Sequence, residues 1–122
     1  MHPSILVVDD NTGMQTLLSA VLGDEGYDII MARNGAQALE KLNTLTPALI
    51  LLDYMMPIMD APAFMDEIAR QGKRAATPVV LLTASGDAQR RAREIGADGA
   101  LDKPFDIEHL LDLVANCAKK GA

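Results

Sequence analysis

The sequence has 122 residues, of which 49% are hydrophobic and 23% are charged, and this is the composition of one ordinary globular domain. Its formal net charge of −6 disfavours binding to nucleic acids and to anionic membranes, because both are bound through basic surfaces. The sequence shows no signal peptide, no apolar stretch near the roughly 20 residues of a membrane helix, and one cysteine, Cys117. We therefore expect one cytoplasmic domain over residues 1–122, which contacts neither nucleic acid nor membrane.

Short apolar runs alternate five times with longer amphipathic stretches. The first run, residues 5–8, precedes a helix whose apolar face would contain Met14, Leu17, Leu18, Val21 and Leu22. The second run, residues 28–31, precedes a helix that Asn34 can cap, with Gln37 as its reciprocal partner in a capping box. The buried face of this second helix would contain Ala38, Leu39, Leu42 and Leu45.

The remaining three runs, residues 48–52, 79–82 and 99–101, follow the same scheme. Pro62 suits the first turn of the third helix, and Gly96 is a predicted end of the fourth. The third and fourth helices would bury Phe64, Met65, Ile68, Ala88, Ala92 and Ile95. The last helix would have Asp106 as its cap, a contact between Phe105 and Leu110, and a core face of Ile107, Leu110, Leu111, Val114 and Ala115.

Three of the apolar runs are continuous aliphatic segments, which is typical of strands buried on both faces of a parallel sheet. The strict alternation of strand and helix predicts an open, doubly wound α/β fold, with a five-stranded parallel sheet flanked by five helices. In such folds ligands bind outside the carboxyl ends of the strands. The residues that follow the runs are therefore the candidates for a functional site.

Acidic residues follow two of these runs. Asp9 and Asp10 could form an exposed turn with a helix cap, or they could be ligands of Mg²⁺, which binds one or two carboxylates plus phosphate oxygens. Asp53 could likewise be a turn or cap residue, or a nucleophile that attacks a phosphoryl donor and forms an acyl phosphate. A cation between Asp53 and the first two acids would offset the charge of the transferring group.

A hydroxyl and an ammonium group follow two other runs. Thr83 is a common kind of strand-end residue, but its hydroxyl could also bond a phosphoryl oxygen. Lys103 could extend to water, yet it precedes Pro104, and the bond before a proline tolerates cis geometry. A cis bond could direct the lysine side chain inward, where it would pair with Asp53 or its phosphate.

Taken together, these segments resemble the receiver domain of bacterial two-component response regulators over nearly the whole chain. The matching segments are residues 8–10, 53–60, 82–84, and 96–98 leading to 103–105. The resemblance implies a flavodoxin-like fold with strand order 2-1-3-4-5, of the single-domain chemotaxis type. It implies Mg²⁺ as cofactor and a set of site residues: Asp53 as phosphoacceptor, Asp9 and Asp10 as metal-side acids, Met55 through its backbone carbonyl, Thr83 as switch hydroxyl, and Lys103.

The resemblance also implies partners and a mode of action. A histidine kinase or a histidine phosphotransfer protein would supply the phosphoryl group, and a downstream protein would bind the face formed by the fourth helix, the fifth strand and the fifth helix. The protein would be a switch that catalyses only its own phosphorylation and dephosphorylation, and not an enzyme with a separate substrate.

Several positions depart from the family pattern. Ala61 stands where glycine is frequent, and Ala100 stands three residues before Lys103, where the family often has an aromatic residue that turns inward on activation. A methyl group has no rotamer to change, so we hypothesise that signalling does not use that aromatic movement. Met55 and Ser85 flank the approach of water to the phosphoryl group, and neither orients water well. Slow self-dephosphorylation is the second hypothesis.

Two alternatives compete with this interpretation. A haloacid-dehalogenase-like phosphatase also uses a strand-end aspartate, but its general acid would fall at Met55, and the chain leaves no room for a cap domain. A degenerate, binding-only receiver would lack an acid or the lysine, and none is missing. We expect His2 to be an ordinary terminal residue, His109 to be solvated on the last helix, and Cys117 to be a small core residue. The cluster Arg90, Arg91 and Arg93 would be a solvated face or a partner surface.

Overall fold

The computed structural model describes residues 3–84 and 86–120, in which five strands alternate with five helices as predicted. His2 and Ser85 lie outside the described residues. The elements are β1 (Ser4–Val8), α1 (Thr12–Asp24), β2 (Asp28–Ala32), α2 (Gly35–Leu42), β3 (Leu49–Asp53), α3 (Ala61–Arg70), β4 (Val79–Thr83), α4 (Ala88–Ile95), β5 (Gly99–Asp102) and α5 (Ile107–Lys120).

All neighbouring strands pair in parallel, in the order β2-β1-β3-β4-β5. The order reverses between β1 and β3, and at such a point of a doubly wound sheet a crevice opens at the carboxyl ends of the strands. The predicted α/β fold and its strand order are confirmed. None of the helices in the described part of the chain is long and apolar enough to cross a membrane.

Two hydrophobic cores lie on the two faces of the sheet. One is covered by α2, α3 and α4, and the other by α1 and α5. Alternate strand residues enter opposite cores: in β3, Leu52 faces the first core and Leu51 the second. The continuous aliphatic runs are therefore explained, because every residue of the inner strands meets a layer of helices.

Polar side chains fix where the helices begin. In three helices the N-cap side chain accepts a hydrogen bond from the backbone N–H three residues later, and these caps are Asn11, Asn34 and Asp60. The capping box is shifted by one residue from its predicted form, because Gln37 Oε1 accepts from the N–H of Arg33 at 2.9 Å, and not from Asn34. Asp106 accepts from the N–H of Glu108 at 2.9 Å, which confirms it as the cap of α5.

Three residues predicted to be buried are exposed. Leu17 is 40% exposed because α1 turns a narrow stripe centred on Leu18 and Leu22 toward the sheet. Leu45 is 39% exposed because α2 ends at Leu42, so the helical spacing no longer applies. Ala115 is exposed because the buried stripe of α5 runs instead through Leu110, Val114, Cys117 and Ala118. His109 is exposed and Cys117 is buried, as predicted.

Candidate functional site

The acidic residues after β1 and at the end of β3 meet at one edge of the sheet. One carboxylate oxygen from each of Asp9, Asp10 and Asp53 lies within 4.8 Å of the other two. Their exposure is graded: Asp9 is buried, Asp53 is half-buried and Asp10 is exposed. Because β1 and β3 are adjacent in the sheet, the crevice between them brings these acids together.

Asp9 is held rigidly at the floor of the site. Its Oδ1 accepts from the N–H of Asn11 at 2.9 Å, and its Oδ2 accepts from the ammonium of Lys103 at 3.1 Å. The backbone N–H of Asp9 donates to the carbonyl of Ala32 at 3.0 Å, which extends the pairing of β1 with β2. A buried carboxylate is tolerated when it is paired and hydrogen-bonded in this way.

Lys103 reaches the site from the end of β5, the strand at the edge of the sheet. The Lys103–Pro104 peptide bond is cis, and Nζ lies 3.1 Å from Asp9 Oδ2 and 3.3 Å from Asp53 Oδ1. The backbone N–H of Lys103 donates to the carbonyl of Thr83 at 2.8 Å, so the ends of β4 and β5 are joined beside the site. Pairing with Asp53 was predicted, whereas the contact with Asp9 was not.

The acids outnumber the cation in this cluster. Asp9, Asp10 and Asp53 face one ammonium group, that of Lys103, so three negative charges meet one positive charge when all are ionised. The pKa of Asp53 is raised above its usual value, first by burial and then by the charge of Asp9, while Lys103 offsets part of this rise. The pKa of Lys103 is also raised, because its bonds to Asp9 and the charge of Asp53 outweigh the effect of burial.

This donor set fits a hard divalent cation. Carboxylate oxygens are the ligands that Mg²⁺ prefers, and Mg²⁺ takes one or two of them while keeping several waters. Asp10 is exposed and Asp53 is half-buried, so both can be reached from solvent. An added positive charge would also relieve the repulsion that raises the pKa of Asp53.

Thr83 and Met55 complete the predicted set. Thr83 is buried at the end of β4, where Leu82 pairs with Asp53 of β3. Met55 lies in the loop between β3 and α3, two residues after Asp53, and its side chain is largely exposed. All six predicted residues therefore lie at or just after the carboxyl ends of β1, β3, β4 and β5.

The loop between β3 and α3 is supported by a close approach to α2. The N–H of Gly35 donates to the carbonyl of Met59 at 3.3 Å, and a Cβ on Gly35 would lie 2.8 Å from Met59 Cγ. Ile58 is the one non-glycine residue with positive φ, +70°, in the described part of the chain. Ala61, the first residue of α3, is therefore not in the left-handed region that favours glycine, and its position tolerates alanine.

Two polar side chains that sequence reasoning missed hold the Asp9–Asp10 turn. Gln15 Nε2 donates to the carbonyl of Asp9 at 2.7 Å and to that of Ala32 at 3.3 Å. Arg33 donates to the carbonyl of Asp10 at 3.2 Å. Gln15 lies within α1, outside any motif, and Arg33 follows β2, a strand end that carried no acid, hydroxyl or ammonium group and was therefore passed over.

Comparison with known proteins agrees with this geometry. The family model of the response regulator receiver domain matches residues 5–115, and the chain therefore belongs to the response regulator receiver domain family. The individual relatives of the chain differ from one another in length and in role.

Two curated relatives illustrate this range. The chain is 36% identical over 116 residues to sporulation initiation phosphotransferase F of Bacillus subtilis, covering 93% of this chain and 92% of that protein. It is 37% identical over 111 residues to the DNA-binding dual master transcriptional regulator RpaA of Synechocystis, covering 89% of this chain but 46% of RpaA. The chain spans about half the length of the transcriptional regulators it matches.

Solved structures show the same fold. Chemotaxis protein CheY4 of Vibrio cholerae superposes with a TM-score of 0.87 at 29% identity, covering 96% of this chain and 99% of that one. A putative response regulator of Chloroflexus aurantiacus gives a TM-score of 0.90 at 27% identity, covering 98% and 99% of the two chains.

Proposed function

We propose that this protein is a phosphoacceptor switch, in which Asp53 receives a phosphoryl group from a histidine kinase or a histidine phosphotransfer protein. The observation that carries the proposal is the placement of the Lys103 ammonium between Asp9 and Asp53, inside the acidic cluster of a chain that belongs to the receiver family. Bound Mg²⁺ would neutralise charge on the transferring group. Asp9, Asp10, Asp53 and the backbone carbonyl of Met55 would hold it.

The residues of the chain divide the chemistry among them. A carboxylate oxygen of Asp53 attacks phosphorus, the bond from phosphorus to the donor imidazole nitrogen breaks, and an acyl phosphate forms. The electron pair of the broken bond stays on the imidazole. Lys103 pairs with a phosphoryl oxygen as a point charge, and the hydroxyl of Thr83 donates to another. Asp9 keeps Lys103 in place during the transfer.

The residues of the site do not support the phosphatase alternative. Such an enzyme needs a general acid two residues after the nucleophile, and Met55 has a side chain that can neither donate nor accept a proton. A binding-only receiver is disfavoured because both the acids and the lysine are present and in contact. We therefore propose a switch that acts only on its own Asp53.

The output of the switch is proposed to pass through α4, β5 and α5 to a downstream protein. Two arginines of α4, Arg90 and Arg93, are exposed, while Arg91 is half-buried. The three therefore do not form one solvated face. The chain covers nearly all of the chemotaxis protein CheY4 and about half of the transcriptional regulator RpaA, so proteins of both kinds contain a domain similar to this one.

Intact mass spectrometry tests the phosphoacceptor directly. Incubation with acetyl phosphate and Mg²⁺ should add roughly 80 Da, the mass of one phosphoryl group of the kind that modifies proteins. Asp53→Asn should abolish the increment, while Asp112→Asn, at an exposed acid of α5, should retain it. Absence of any increment in the unmodified protein would overturn the proposal.

A further inference from the structure

The side chain that follows the proposed phosphoacceptor is in contact with α4. The guanidinium carbon of Arg91 lies 4.3 Å from the centre of the Tyr54 ring. A cation within about 6 Å of an aromatic centre is attracted to the face of the ring. Tyr54 is joined to Asp53 by a peptide bond, so this contact links α4 to the residue next to the site.

Arg91 also binds the segment that leads from Thr83 into α4. Its Nε donates to Asp87 Oδ1 at 2.8 Å. Asp87 occupies the N-cap position of α4, yet its carboxylate makes no capping bond with the helix. Instead the first N–H of α4, that of Ala88, donates to Asp102 Oδ1 at 3.1 Å. The carboxylate of Asp87 instead binds two arginines of α4, Arg91 through Oδ1 and Arg90 through Oδ2.

The apolar anchoring of α4 is weak. Its two buried residues are Ala88 and Ala92, whose methyl groups bury little area, and Ile95 is only partly buried against the same core, whereas α3 buries Phe64, Met65 and Ile68. Gln89 adds a polar bond from Nε2 to the carbonyl of Ala100 at 2.9 Å. An eight-residue helix held by few apolar contacts can shift at low cost, and its position depends on its polar partners.

The two partners of Arg91 belong to the two segments that border the site. Tyr54 follows Asp53 directly, and Asp87 follows Thr83 by four residues. A phosphoryl group bonded to Asp53 and to the Thr83 hydroxyl would draw these segments together and add about −1.5 to −2 charges beside Tyr54. Tyr54 and Asp87, which both contact the Arg91 guanidinium, would then move relative to each other.

We propose that Arg91 is a positioning residue that transmits the state of Asp53 to α4, and that its contact with the Tyr54 ring is lost on phosphorylation. This inference rests on the proposed function. Tyr54 and Leu52 share the face of the sheet that α4 covers, and so does Ala100. Tyr54, the residue directly after β3, therefore supplies an aromatic group on the face where Ala100 has none.

The chain permits a direct spectroscopic test. It has two tyrosines and no tryptophan, and Tyr27 packs in the opposite core, so in a Tyr27→Phe background all tyrosine fluorescence comes from Tyr54. In that background, acetyl phosphate with Mg²⁺ should change the Tyr54 emission and increase hydrogen exchange of α4. Arg91→Gln should give a changed emission before phosphorylation and remove both responses to it.

Arg90→Gln is the matched control. Arg90 lies on the same helix and pairs with Asp87 and Glu94, but it does not lie over the ring, so both responses should persist. Arg91→Lys keeps the positive charge but lacks the planar guanidinium, so it should reduce both responses. It replaces Arg91→Gln as the test variant if that variant does not fold. An unchanged α4 response in the Arg91 variants, or an unchanged emission in the parent, would overturn the inference.

Intact mass separates this failure from failure of the proposed function. Phosphoryl uptake without a Tyr54 response overturns the role of Arg91 alone. No uptake by the parent protein overturns the phosphoacceptor and the role of Arg91 together. Arg91→Gln should take up the phosphoryl group as the parent does, and a selective loss of uptake would show that Arg91 acts at the reacting atoms, against the inference.

Discussion

The ammonium of Lys103 lies 3.3 Å from Asp53 Oδ1. Lys103 follows the end of β5 and Asp53 ends β3, and these two strands are separated in the sheet by β4. The same ammonium contacts Asp9, 94 residues away in the chain. One cation thus links the ends of three strands, and the charge of the site depends on it.

Replacement of Lys103 by Met should slow phosphorylation of Asp53 by about 100-fold, the usual effect of removing one group that stabilises transferring charge. The variant also raises the pKa of Asp53 further, because Lys103 is the group that lowers it. The rate of mass increment with acetyl phosphate measures the first effect. Lys73→Met, at a lysine that contacts Asn43 away from the site, should leave the rate unchanged.

Asp53→Asn should raise the melting temperature at neutral pH in the absence of Mg²⁺. Burial and the charge of Asp9 hold the pKa of Asp53 in the folded protein above the ordinary value of an aspartate, so the folded protein binds the proton more tightly than the unfolded chain. The stability contributed by this group is fully present below that value and is lost as pH rises through the folded-state pKa. The difference between variant and parent should therefore shrink as the pH falls toward the ordinary pKa of an aspartate.

Thermal melts across this pH range, with a chelator present, give the comparison. A variant less stable than the parent at pH 7 would show that the bond to Lys103 outweighs burial and the charge of Asp9.

Mg²⁺ should stabilise the folded protein by mass action, with about 2.7 kcal/mol gained at a concentration 100 times the dissociation constant. Asp10→Asn should weaken Mg²⁺ binding by at least about tenfold, the lower bound for loss of even an outer-shell partner of a metal. Titration calorimetry measures the affinity. Equal affinity in the variant would remove Asp10 from the metal site.

Gly35→Ala should destabilise the protein by about 1–3 kcal/mol, the usual cost of inserting a methyl group into a filled space. The new Cβ would lie 2.8 Å from Met59 Cγ and 2.9 Å from the Met59 carbonyl oxygen, so the loop after β3 must shift. Gly23→Ala is the matched control, because that exposed helical position has nothing within 4 Å. It should stabilise by about 0.5–1 kcal/mol in a denaturant titration.

Met55→Gln should shorten the lifetime of the acyl phosphate by about tenfold, because an amide beside the site can orient the attacking water. The parent protein should retain its phosphoryl group for much longer than seconds, as measured by the decay of the added mass. A parent half-life of seconds would contradict the hypothesis of slow self-dephosphorylation.

The five strand–helix units could be predicted from local sequence patterns, and so could the strand ends at which Asp9, Asp53, Thr83 and Lys103 lie. Apolar periodicity and turn residues act within a few positions of the chain, so they can be recognised without a fold. The same local patterns failed at Leu17, Leu45 and Ala115, where the exact rotation or length of a helix decided which residues were buried.

Which of those side chains are in contact depends on the packing of the folded chain. The pairing of Lys103 with Asp9 as well as Asp53 depends on strand order, and the Arg91–Tyr54 contact depends on how α4 lies on the sheet. Contacts between residues far apart in sequence are set by packing of whole elements, and no spacing within one segment records them.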